Sequence, residues 1–188
     1  MFRRWLLTLG LALCAAVSAR ATSFLPVTFD ELVTRADIIF VGEVADVRPY
    51  PLQVREGTII KTRVVFRVSD PIFGTSSAFE ALDFLGGAYD GLELHVAEMP
   101  AFAVGDRRMV FARRERSINP VVGFTQGLML ISPDANGIDR VFTLERAPLV
   151  SPESIGRAAA GITVAGAPMP LSEFRARVSR ALTEARRQ

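Results

Sequence analysis

Side chains whose types could do chemistry are few in this chain and stand far apart. His95 is the single histidine, whereas a zinc site takes three or four imidazole, thiolate or carboxylate ligands. It therefore reads as a strand residue facing solvent. Cys14 is the single cysteine and lies inside an apolar stretch near the start of the chain. A serine hydrolase built on His95 would also need a nucleophile elbow, and no such motif is present. Paired carboxylates remain: Asp83, Asp90 and Glu93 surround the dipeptide Gly86 and Gly87. Two carboxyl groups about 5 to 9 Å apart are the machinery of glycoside hydrolysis, but 20 acidic residues make some such pair expected by chance. Gly86 and Gly87 read as a tight turn. The residues thus assign no catalytic group, no cofactor and no metal ligand.

Residues that could hold a partner are of two kinds. Arg113, Arg114, Glu115 and Arg116 form a basic cluster, and Phe102, Phe111 and Phe124 supply aromatics, the ingredients of a single-strand nucleic-acid surface. Phe at strand spacing is usually core, however, and the charge balance does not favour nucleic acid. The second kind is the apolar run 99–104, where Met99 and Phe102 stand either in the core or on an exposed loop that docks a partner.

The charge balance depends on where the mature chain begins. Arg3 and Arg4 precede an uncharged apolar run over 5–16, too short for the roughly 20 residues of a membrane-spanning helix. Ala19, Arg20 and Ala21 then place small residues where a signal peptidase reads them. Residues 1–21 are therefore predicted to be a secretory signal peptide, with Thr22 opening the mature chain. Cys14 would leave with the signal. So would Arg3, Arg4 and Arg20, leaving 19 of the 22 basic residues against 20 acidic ones. The basic isoelectric point belongs to the precursor, and a nucleic-acid partner inferred from it would be mistaken. The expectation is a periplasmic or extracellular protein that meets the membrane only through its signal during export.

The elements that would position these residues are mostly strands. Thr28 and Glu31 are spaced as a capping box, with Val27 and Leu32 as its hydrophobic staple, so a short helix should end near Asp37. A strand is expected over 38–47, with a bulge at Gly42 and a break at Pro49, Tyr50 and Pro51. Its partner over 58–68 sets Ile60, Thr62, Val64, Phe66 and Val68 on one face against Lys61, Arg63 and Arg67 on the other. Asp70 to Gly74 should turn. Further strands are expected over 79–85, 92–96 and 108–112, one or two more over 121–131, and a last one over 141–144 after a turn at Asn136 and Gly137. Residues 148–170 read as a linker. Ser172 would cap a closing amphipathic helix over 171–188 that carries Phe174, Val178 and Leu182 on one face. The fold class that follows is mostly β: a small closed or partly open OB-like barrel over 22–147, with a short helix before it and another after.

Residues 32–44 (LVTRADIIFVGEV), with 64–68 (VVFRV) and 71–74 (PIFG), resemble the opening of netrin-like domains, the group that includes tissue inhibitors of metalloproteinases. The chain is also similar to exported bacterial proteins of comparable length that are encoded near matrixin-like metalloproteases. The resemblance covers residues 22–132 and implies an OB-like barrel. It also implies a metalloprotease as partner, approached through the N-terminal residues Thr22 and Ser23. The inhibitors bind zinc through the amine and carbonyl of an N-terminal cysteine, and Thr22 stands here in place of that residue.

Together these readings predict an exported, non-catalytic module that binds a protein, a matrixin-like metalloprotease being the named candidate. Thr22, Ser23, Met99 and Phe102 are its expected contact residues. The alternative is a hydrolase with a carboxylate site at the barrel mouth.

Overall fold

The computed structural model describes residues 25–115, 117–156 and 165–187. Residues 1–24, and with them the expected signal peptide, Thr22 and Ser23, lie outside the described residues.

Helix α1 (Phe29–Arg35) begins at the expected capping box: Thr28 Oγ1 accepts from the Glu31 N–H, and Glu31 Oε2 accepts from the Thr28 N–H at 3.0 Å. Val27 and Leu32, on either side of the cap, are both buried. Ala36 leaves the helix in an extended conformation and feeds β1 (Ile38–Val54).

β1 pairs from Ile39 to Val54 with β2 (Gly57–Phe73), antiparallel, in a hairpin of two 17-residue strands. This corrects two expectations: Pro49 and Pro51 do not break β1, and Asp70 to Phe73 continue β2 rather than turning. Only 38–43 of β1 pair on the other side among the described residues, so beyond Val44 that side is an edge with no described partner strand. Pro49 and Pro51 lie two residues apart and direct their hydrogen-less nitrogens to one side, which an edge tolerates. Three register shifts bend the hairpin, one of them at Gly42.

The remaining strands are β3 (Phe79–Leu85), β4 (Gly87–Tyr89), β5 (Leu92–Leu94), β6 (Arg107–Ala112), β7 (Leu128–Pro133) and β8 (Asp139–Phe142). Six of them form one antiparallel sheet in the order β3-β2-β1-β6-β7-β8, and β4 and β5 form a separate hairpin. The protein is therefore mostly β. No pairing joins the two edges, β3 and β8, among the described residues, so hydrogen bonding does not close this sheet into a barrel. Asp90 and Gly91 both have positive φ, the requirement of a two-residue I′ turn between β4 and β5. The segment 121–127, expected as strand, is mainly turn.

Two apolar layers cover the sheet. Ile39, Val41, Met109 and Phe111 face one way, against Leu32 and Val33 of α1 and Phe174 and Val178 of α2 (Leu171–Ala185). Ile38, Phe40, Val110 and Ala112 face the other way and meet Val64, Phe66, Leu82 and Phe84. A strand covered on both sides must be apolar at every position, which accounts for the unbroken runs 38–41 and 109–112. Ser172 falls inside α2, whose N-cap is Pro170, so it is not the expected cap.

Leu149, Ile155 and Met169, from the segment expected as a linker, are buried in the helix-bearing core. Leu149 N–H donates to Val141 O, and Met169 N–H to Leu149 O, which covers the edge of β8. Residues 157–164 of that segment lie outside the described residues.

Candidate functional site

The face of the sheet opposite the helices carries an apolar cleft of about 310 Å³. Phe84 and Leu85 at the end of β3 form one wall, followed by Gly86 and Gly87. The loop 95–102 after β5 forms the other, with Val47 and Thr62 of the long hairpin between them. The local chemistry of the turn fixes this shape. Thr62 Oγ1 donates to Gly86 O at 2.7 Å, and Gly86 N–H donates to Ile60 O at 2.8 Å. Gly87 has φ +126°, and a Cβ there would lie 2.5 Å from Thr62 Oγ1, so the chain turns here only because the residue has no side chain.

Met99 and Phe102 both line this cleft and are half-buried against the core beneath it. The Phe102 ring meets Phe84 at a centroid distance of 4.8 Å and Phe66 edge-on at 5.9 Å. His95 lies in the loop after β5 rather than in a strand; it is exposed and lines the cleft as well. Val104, two residues beyond Phe102, is 68 % exposed.

An electrostatic network behind the wall holds the loop. Arg108 Nη2 donates to Asp106 Oδ2 at 2.6 Å and to Ala101 O at 3.5 Å, while its guanidinium carbon lies 5.9 Å from the centre of the Phe102 ring. Asp106 Oδ2 also accepts from the Ala103 N–H, and the Asp106 carbonyl accepts from the Val44 N–H at 2.9 Å. Partial burial works against ionisation of Asp106, but the Ala103 N–H and Arg108 outweigh it and hold its carboxyl below the usual range. Arg108 is the residue that sequence reasoning missed. The signal was present, since position 108 shares a strand face with Val110 and Ala112 and an arginine there must enter the core.

The candidate carboxylates do not assemble into a site. Asp83 is held at both oxygens by Arg63, with Nε to Oδ1 at 2.8 Å and Nη2 to Oδ2 at 3.0 Å, and this pair keeps its carboxyl below the usual range. It alternates with Phe84 along β3 and so points away from the cleft. It lines instead a polar groove of about 180 Å³ beside Lys61, Glu80 and Arg114. Asp90 and Glu93 are exposed on the hairpin of β4 and β5. Among the described residues no three His, Cys, Asp or Glu side chains are grouped so as to hold a metal ion.

The aromatic row considered for nucleic acid does not form either: Phe111 is fully buried on the helix-bearing side, and Phe102 belongs to the opposite side. Arg113 pairs with Glu115 at 2.9 Å, and Arg114 reaches Gly74 O at 2.8 Å.

The described chain begins well away from Met99 and Phe102. Gln126 Oε1 accepts from the Val27 N–H at 2.8 Å and Nε2 donates to Leu25 O at 3.2 Å, tying this segment to the turn 121–127. Val27 is buried in the helix-bearing core, whereas Met99 and Phe102 pack on the other core. No helix among the described residues is long and apolar enough to cross a membrane. No protein-family model, curated protein or solved structure matches the chain.

Proposed function

We propose that the mature chain is an exported binding module that takes an apolar side chain of a protein partner into the cleft beside Met99 and Phe102. The observation that carries this reading is the cleft itself. It is concave, mainly apolar, framed by the hydrogen-bonded glycine pair and a pinned loop, and ringed by few polar groups, as binding sites commonly are. Leu92 on β5 and Val104, two residues beyond Phe102, are further exposed apolar side chains.

Export rests on the signal-like residues 1–21. The partner class, a matrixin-like metalloprotease, rests on the netrin-like resemblance. We read the bent hairpin of β1 and β2, with its three register shifts, as part of an OB-like barrel opened between β3 and β8. The same resemblance makes Thr22 and Ser23 the further candidate contacts.

The test is a calorimetric titration of the mature protein against a purified matrixin-like protease. Met99→Asp should weaken binding at least about tenfold, because a carboxylate would be desolvated in the contact. Asp90→Asn, on the neighbouring hairpin, should leave it unchanged. Binding that is indifferent to Met99→Asp would overturn the cleft as the docking site.

A further inference from the structure

Arg108 holds the only buried side-chain nitrogens without a hydrogen-bond partner among the described residues: Nε and Nη1. The side chain is 5 % exposed, and its one ion-pair partner, Asp106, engages Nη2 alone. A buried donor left without an acceptor is destabilising, and more so when the group is charged. Such a guanidinium is short of acceptors.

Two of its neighbours belong to the cleft wall. Ala101 offers its carbonyl at 3.5 Å, and the Phe102 ring lies over the guanidinium. One half-buried phenyl ring, wedged among Phe66, Phe84 and Arg108, thus separates an apolar cleft from a cation with open donors. Phe102 belongs to the loop after β5 rather than to a strand of the sheet.

We propose that the cleft takes a small apolar carboxylate of fatty-acid type. Its tail fills the space beside Met99, and its head displaces the Phe102 ring and accepts hydrogen bonds from Arg108. Charge complementarity selects the head group: the planar guanidinium fork matches a carboxylate better than a neutral amide. The tail needs no more than apolar contact, which the cleft supplies. The inference rests on the cleft being a binding site and adds to it a regulator, since an acid lodged there would compete with a protein side chain for Met99.

Octanoate, octanamide and octylamine, titrated separately into the mature protein at neutral pH, distinguish the possibilities. Octanoate should bind at least about tenfold more tightly than octanamide, and octylamine should be the weakest. Phe102→Ala should strengthen octanoate binding and keep the preference, whereas Arg108→Met should abolish the preference. In the unsubstituted protein the Arg108 Nε–H resonance should shift with octanoate and stay still with octanamide, a readout independent of whether Arg108→Met folds. Equal affinity for acid and amide, or a resonance that does not move, overturns the role of Arg108. Absence of binding to both the unsubstituted protein and Phe102→Ala overturns the ligand altogether. Neither result touches the docking reading, which is decided by the protease titration of Met99→Asp.

Discussion

Arg63 and Arg108 sit on strands of the same sheet with opposite surroundings. Arg63 lies on the solvent side, paired at two points with Asp83 and placed 5.3 Å from the centre of the Tyr50 ring. All of its neighbours are half-exposed, and such pairs contribute about 0–1 kcal/mol. Asp83→Asn should therefore lower stability by no more than about 1 kcal/mol in urea denaturation and leave protease binding intact. A loss of several kcal/mol would mean that Asp83 has a role the pair does not describe. Phe102 is the contrasting residue. It contacts Phe66 and Phe84 while lining the cleft, so Phe102→Ala removes buried aromatic contact and should cost about 2 kcal/mol, less than a fully enclosed Phe would. The same urea experiment reads both.

At the scale of elements, the turn at Gly86 and Gly87 carries the cleft wall. Gly87→Ala would place a methyl group against Thr62 Oγ1 at a backbone angle that L-residues avoid, and should destabilise the protein by about 1–3 kcal/mol. Thr62→Ser keeps the hydroxyl that bonds Gly86 O and should cost less, a difference that thermal melts would report. The positive φ of this glycine pair is visible in the sequence, though as a tight turn rather than the step from β3 into β4 that it makes, along with the capping box of α1 and the alternation of β2, because each is a local signal. What escaped was non-local. Pro49 and Pro51 mark a break unless one knows that β1 has an edge with no described partner strand beyond Val44, and that depends on where β6 stops. The buried edge-cover of Leu149 and Met169 has no periodicity to read, since it comes from single residues laid against β8. Asp90 and Gly91 are a further local signal, a dipeptide of the type a two-residue hairpin turn demands. Met99 and Phe102 were found as an apolar run. Their partner in the site, Arg108, is legible only through the strand face it shares with Val110 and Ala112.

Several carboxylates on the sheet of this molecule are in the charged form favoured by their folded surroundings. Arg107 holds both oxygens of Asp139, at 2.6 and 2.7 Å, and Arg63 holds Asp83 in the same manner. Asp134 accepts from Arg140 and from the backbone N–H groups of Ile138 and Asn136. Each carboxyl is thereby held below its ordinary value, chiefly by the arginine beside it. A carboxyl lowered in the folded state contributes stability that is complete above its unfolded value, near pH 4, and disappears as the pH falls through the lower folded value. Stability should accordingly stay level from neutrality down to about pH 5 as far as these groups are concerned, then decline towards pH 2. Asp139→Asn isolates one contribution: it should lower stability at pH 7 by about 1 kcal/mol, given that both partners are roughly a third exposed, and make the decline between pH 5 and pH 2 shallower by a similar amount. Urea midpoints of the two proteins at pH 7, 5, 3 and 2 measure this. The curves should converge at the acid end, where Asp139 is protonated in the folded chain and the substitution removes no charge. Parallel curves across the whole range would show that the pair with Arg107 does not couple folding to protonation.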